Sequence, residues 1–431
     1  MRLACWLLVV LAACHGASRP STLVRVDHEP GGPDCPDGGV AINTGLDRDG
    51  DDVLDDSEIT STQFVCNGTS TVQCGSGAGV LKGTITVRDP GDWAQLDGVS
   101  CIEGELLIAG SGAEAIPAHP GLSTVTGDVA IVGNPELTSL AGLAQLRELG
   151  GSYLIQDNPA LTDISALGGV SRATSIQLVG NDALHDLAGL KALVDINTVL
   201  VISNNAGLTS LDGLDNLRST SRTLSIRGNH ALSSAAGLRN LRQAQLLEIS
   251  GNDALPSLDL ASLAKVDVRL LVTTNSALTA VALPSLSTVG EFAQFDGDPA
   301  LARLDMPQLL TIGSLFVTGD TSLTALAAPR LVFATAGIQL NGLPRLATAR
   351  FDGLTSIGGA LELAGVPVLA NLSGFPMLES IGGAFSLVNA GSLRDFTGLG
   401  ALANVLGTMT VSGNPQLRKS TALSFLLSSG S

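Results

Sequence analysis

Aromatic and basic side chains are scarce in this sequence. Phe, Trp and Tyr together make up 3% of 431 residues, and Lys plus Arg number 23 against 40 acids. A formal net charge of −17 argues against nucleic acid or anionic lipid headgroups as partners of the body of the chain, because both would be repelled. It also excludes a polybasic membrane patch. Few rings means no row of stacking platforms for sugars. The five histidines (His15, His28, His119, His185 and His230) are scattered, and no two have zinc spacing. There is no G-x-S-x-G, and no glycine-rich phosphate loop follows a strand, so the common signs of a serine hydrolase or a nucleotide site are missing. No run of eighteen apolar residues occurs, which leaves no transmembrane helix in the body. No cysteine follows Cys101, so whatever lies beyond it is held by packing alone.

What is present begins with "MRLACWLLVVLAACHG". Arg2 forms a minimal basic start, and Leu3 to Leu11 is an apolar run too short to span a bilayer. The run ends in Leu11-Ala12-Ala13-Cys14, which resembles the lipobox of bacterial lipoproteins. That resemblance implies a signal peptide over residues 1–13, removal of it, and acylation of Cys14, with several acyl chains giving a stable anchor. An ordinary secretory signal with an incidental cysteine is the alternative. Loss of residues 1–13 removes Arg2 and no acid, leaving 22 cations against 40 acids. The implied location is a bacterial cell envelope, on the outer membrane or cell surface, reached by the membrane only through the lipid. Residues 14–34 read as a Pro/Gly linker.

Four cysteines then remain, Cys35, Cys66, Cys74 and Cys101. In an oxidising compartment they allow three pairings. We favour Cys35–Cys66 and Cys74–Cys101, since each pair brackets a small unit.

Between the first pair lies "GLDRDGDDVLDDSEI" (45–59), with seven acids from Asp47 to Glu58. Counting Asp47 as position 1, Asp49, Asp51 and Asp55 fall at positions 3, 5 and 9, and Glu58 at position 12. Val53 offers a backbone carbonyl at position 7, and Leu54 can anchor the loop to a core. This is the ligand spacing of a calcium loop, in which oxygens wrap a hard cation and a glutamate closes the shell. Position 6, a glycine in EF-hands, is Asp52 here, and the preceding "GGVAINTG" reads as strand. Residues 35–68 resemble a small Cys-bounded calcium-loop module of bacterial surface proteins, which implies a structural calcium ion. A disordered acidic linker is the competing reading.

From residue 106 one pattern recurs every 22–24 residues. Its anchors are Leu137, Leu161, Leu184, Leu208, Leu232, Leu255, Leu278, Leu301, Leu323, Leu346, Leu369, Leu393 and Leu417. Positions eight and six before each anchor are apolar, as in Val129 and Ile131, the alternation of a short strand with one face inward. Four before stands Gly, Asn or Asp, except Thr274, so a left-handed turn should follow every strand. The next position is Asn in seven successive copies from Asn134 to Asn275, then Asp298 and Asp320, then Leu343, Val366 and Ala390, and Asn again at 414. Stacked amides could satisfy neighbouring turns, and the break at 343–390 predicts a locally different turn. Downstream of the anchor, "LxxLxGLxxL" in the first half gives way to "LxxLxxPxLxxIG" in the second.

Fixed-period self-similarity marks a solenoid. The fold class expected is an all-β-rich solenoid of 22–24-residue repeats with a small disulfide- and calcium-stabilised N-terminal module. Both repeat layouts resemble receptor L-domains, which implies a right-handed parallel β-helix related to leucine-rich repeats. Residues 106–419 would form the solenoid, about 60 Å long at about 4.8 Å per strand. Residues 74–105, with Trp93, would cap its start, and 420–431 its end.

Outward strand positions are where a solenoid works. Seven before the anchors they read Ala130, Leu154, Gln177, Val201, Ser225, Glu248, Leu271, Gln294, Phe316, Gln339, Glu362, Ser386 and Thr410. A polysaccharide-cleaving β-helix would need clustered carboxylates and bases there, and none is evident. Glu248 and Arg227, one coil apart, read as a solvated pair, and Phe316 as an isolated ring. The sequence therefore points to a non-enzymatic surface lipoprotein that binds a protein or glycan. A ligand-free envelope spacer and a β-helix enzyme are the rivals.

Overall fold

The computed structural model describes residues 22–29, 39–46, 48, 54–66, 72–75 and 79–418. Two architectures appear, a three-stranded antiparallel unit and a parallel solenoid of about fourteen turns. Among the described residues no helix is long and apolar enough to cross a membrane.

The first unit consists of β1 (Thr22–Glu29), β2 (Gly39–Leu46) and β3 (Ile59–Cys66), with β2 in the middle. Every residue of β1 pairs with β2, from Thr22 opposite Leu46 to Glu29 opposite Gly39. The stretch 22–29, read from composition as linker, is thus a strand of this unit. Its valines at 24 and 26 alternate with polar residues, a period-two signal that the neighbouring Pro and Gly obscured. Residues 1–21 and the segment 30–38, which holds Cys35, lie outside the described residues, as does the expected Cys35–Cys66 bond.

In the solenoid, parallel strands stack from Ile85–Val87 through Leu106–Ala109 and Val129–Val132 to Met409–Ser412, each in register with the next. The anchoring leucines point inward and are buried through Leu393. Fully burying one such side chain stabilises by roughly 1.5–3 kcal/mol relative to exposure, and each coil shares its leucines only with the coils above and below. Interior residues at the last described coil, Met409, Val411 and Leu417, are only partly buried.

The coil begins before the first full repeat. Val80–Lys82 pairs with Cys101–Glu103, and Ile85–Val87 with Leu106–Ile108. Between them a short 3-10 helix, Pro90–Leu96, starts from Asp89, whose side chain accepts the Gly91 N–H while Asp92 reaches back to the Asp89 N–H. That reciprocal cap fixes the helix over the end of the core. Trp93 and Leu96 are buried by it, and the Trp93 ring stacks on His119 at 5.9 Å. Cys74 bonds to Cys101, Cα atoms 5.7 Å apart, tying the incoming chain to this first coil. The proposed terminal cap over 420–431 lies outside the described residues.

The two repeat layouts build different second sides. Where "AGL" follows the anchor, a 3-10 turn forms, as at Ala141–Leu143, Ala188–Leu190 and Ala236–Leu238. Gly237 is needed there because a Cβ would sit 1.9 Å from the Leu211 carbonyl oxygen of the coil below. From Ser257 onward that side becomes a five-stranded parallel sheet, ending at Thr348–Arg350.

From Leu106–Ala109 onward, every turn after a main strand carries a left-handed residue. The glycines cluster near φ +61° to +71°, and Asp157, Asn204 and Asn389 near +54° to +57°. Thr274, the apparent exception in sequence, sits at φ +55° as well. A β-branched residue is strained in that region, so the stack imposes the turn against local preference.

Candidate functional site

Behind the left-handed residues of seven successive coils runs a column of buried side-chain amides, Asn134, Asn158, Asn181, Asn205, Asn229, Asn252 and Asn275. Asn205 shows the bonding. Its Nδ2 donates to Ser203 O (3.0 Å), to Leu178 O of the preceding coil (2.9 Å) and to Asn229 Oδ1 (3.2 Å). Its Oδ1 accepts the Asn181 backbone N–H at 3.0 Å. The column starts at Ser111, whose N–H and hydroxyl both donate to Asn134 Oδ1 at 2.9 Å. It passes to Asp298 and Asp320, with Asp298 N–H donating to Asp320 Oδ1 at 2.9 Å.

The interruption at Leu343, Val366 and Ala390 does not produce the different turn expected. Gly342, Gly365 and Asn389 keep φ values of +64°, +66° and +57°. The Leu343 N–H donates directly to Gly365 O (3.1 Å) in place of a side-chain amide. The left-handed residue sets the turn whether or not an amide follows it.

The main strands align the outward residues into rows. Val201 lies beside Ser225, Ser225 beside Glu248, Glu248 beside Leu271, and Gln294 beside Phe316. The expectation of a solvated Glu248–Arg227 pair fails. Glu248 is 1% exposed and accepts the hydroxyls of Ser225 (2.6 Å) and Ser250 (3.1 Å). Those serines satisfy carboxylate lone pairs that water would otherwise fill. Gln177, Val201, Ser203 and Arg227 are buried as well, whereas from Leu271 to Ser386 the same row is half-exposed.

Phe316 is not isolated. The Phe292 ring meets it edge-on at 5.6 Å, and the Arg269 guanidinium lies 5.2 Å from the Phe292 centroid while pairing with Glu291 at 2.8 Å. Such aromatic and cation–π contacts contribute about 0.5–1.5 kcal/mol each. Sequence reasoning missed Phe292 because it stands nine, not seven, before its anchor. The signal was its even offset from Phe316's position, which places both rings on one face.

In the N-terminal unit, Glu58 is buried and both its oxygens turn into the acidic loop, accepting Arg48 N–H (2.5 Å) and Asp55 N–H (3.2 Å). Leu54 is fully buried and Asp55 exposed. Arg25 of β1 donates to Leu54 O (2.7 Å), Asp56 (2.5 Å) and Asp27 (2.8 Å). Asp27 also accepts from Asn43 at 2.6 Å, and Asn43 from Thr62 at 2.5 Å. The loop's C-terminal half is thus fastened to β1 through Arg25, whose partner Asp27 is tied through Asn43 to β2 and through Thr62 to β3. Asp47, Asp49, Asp51 and Val53 lie outside the described residues, as does Cys14.

Residues 21–66 match a family described as a domain of unknown function (DUF7151). The match spans the three strands and the acidic loop together. No curated protein matches the chain. Among solved structures, the chain has a slight likeness to one in "Crystal structure of TLR13-ssRNA13 complex". The identity is 14%, covering 80% of this chain and 76% of that one, with a TM-score of 0.17.

Proposed function

We propose that this chain is a lipid-anchored bacterial envelope protein that binds a protein or glycan with the outward face of its solenoid and performs no catalysis. The observation that carries the reading is the contrast between positions in the same coil. Anchors and turns repeat almost unchanged, while the half-exposed part of the outward row changes chemically at every step, from Leu271 to Gln294, Phe316, Gln339 and Glu362. A scaffold alone needs no such variety, and recognition does. The half-exposed segment around Arg269, Phe292 and Phe316 has the aromatic and arginine content typical of binding centres. Extracellular modules with acidic loops hold calcium at roughly 10⁻⁴–10⁻³ M, and we assign that ion to Asp47, Asp49, Asp51, Val53, Asp55 and Glu58. The inward-turned Glu58 carboxylate supports the assignment, since its oxygens face the loop it would close. The lipid would sit on Cys14.

A soluble ectodomain carrying Cys14→Ser tests the reading by pull-down from envelope and culture fractions. A saturable partner, lost on Phe292→Ala/Phe316→Ala with folding intact, supports it. Isothermal titration with calcium, compared with Glu58→Gln, tests the metal separately. A rigid spacer without ligand is the second reading, favoured by the amide ladder that runs through seven successive coils, and it expects no partner in either preparation.

A further inference from the structure

The amide column changes chemistry at Asp298 and Asp320. In each asparagine coil Nδ2 is a donor, as Asn275 Nδ2 is to Ile249 O (3.1 Å) and Thr273 O (3.0 Å). The two aspartates occupy the same place, and both are fully buried. Oδ1 of each accepts from the coil below, Asp298 from Asn275 N–H at 2.6 Å and Asp320 from Asp298 N–H at 2.9 Å. Oδ2 of each is buried without a hydrogen-bond partner. An ionised carboxylate has no donor to offer at Oδ2, whereas a carboxylic acid has one. We propose that Asp298 and Asp320 form a proton-operated latch: protonated, each stands in for an asparagine, and ionised, the pair loosens the coils between Asn275 and Leu343.

The surroundings favour the protonated form. Burial pushes Asp298 up to about 7 and Asp320 to about 8. For Asp320 the neighbouring Asp298 raises it further, and Asp296 acts on both. Asp296, at the end of the same strand, is half-exposed, with Oδ1 taken by the Thr318 hydroxyl (2.6 Å). Asn275 below supplies neutral donors, and Leu343 above supplies no charge. Among the described residues no cation is recorded against either carboxyl.

The unfolded carboxyls ionise near 3.8. From there up to about 8 the folded chain holds more protons than the unfolded one, so stability is greatest in acid and falls as pH rises across that window. The device is independent of the recognition reading.

Hydrogen exchange, corrected for the intrinsic rate at each pH, reads it directly at the Asn275 and Asp298 amides. Between pH 5.5 and 7 their opening constants should rise by up to about tenfold per pH unit for each carboxyl, while the Asn181 and Asn205 amides change far less. Asp298→Asn/Asp320→Asn, which only extends the asparagine column, should flatten that dependence. Equal pH dependence in the wild type and the double variant, or none in either, overturns the latch. Infrared spectroscopy provides a second reading that does not depend on opening. A protonated-carboxyl stretch at pH 6 that disappears in the double variant supports the proposal, and its absence from the wild type overturns it.

Discussion

Removing one amide from the middle of the column should be far more damaging than removing one at its end. Asn205→Ala deletes the two N–H donors that Nδ2 shares among three acceptors and leaves the Asn181 backbone N–H without its acceptor, all in a fully buried site. A buried polar group left unpaired costs about 1–3 kcal/mol, and each lost hydrogen bond about 0.5–1.5 kcal/mol. Carbonyls can keep a second partner, so a total of about 3–5 kcal/mol is expected. Asn414 is only partly buried and makes two such bonds, accepting from Ala390 N–H and donating to Leu387 O. Asn414→Ala should then cost about 1 kcal/mol. Urea unfolding gives both values, and hydrogen exchange at Asn181 shows whether the loss is local. If Asn205→Ala falls within 1 kcal/mol of Asn414→Ala, the column is filler rather than a source of stability. The tolerated apolar block at 343–390 does not contradict the prediction, because there the partners are replaced together.

Other substitutions test separate links. Thr274→Gly should stabilise by about 1 kcal/mol in thermal unfolding, since it releases a left-handed strain that glycine does not feel. Gly237→Ala should destabilise by about 1–3 kcal/mol, because its methyl meets the Leu211 carbonyl of the coil below. Replacing Cys74 and Cys101 by Ser opens a link of sequence separation 27 and should lower stability by about 2–4 kcal/mol, with proteolysis beginning near Val80. Arg25→Ala should release the Leu54–Asp56 edge of the acidic loop. Limited proteolysis after residue 54 should then speed up while the solenoid's melting stays unchanged.

The solenoid was legible in sequence because its code is local and repeated. Each coil meets only its neighbours, so a leucine and a turn residue at fixed spacing specify the same contacts thirteen times over, joined by an asparagine in eight of the copies. The switch to a Pro-containing second layout was visible in the sequence, but that it replaces 3-10 turns with a five-stranded sheet is seen only in the structure. What sequence could not decide were outcomes set between coils or between strands. Thr274 adopts a left-handed turn because the coils on either side already hold that path. Glu248 is buried, with Ser225 and Ser250 coming to its carboxylate from adjoining positions in the sheet. The strand at 22–29, whose short alternation was obscured by the neighbouring Pro and Gly, is fixed by pairing with β2, and with it Arg25 becomes a fastening for the acidic loop. The same holds at the end of the ladder, where two aspartates look like conservative replacements in the chain. Only the stacking, by burying both and leaving each Oδ2 without a donor to accept from, turns them into titrating groups.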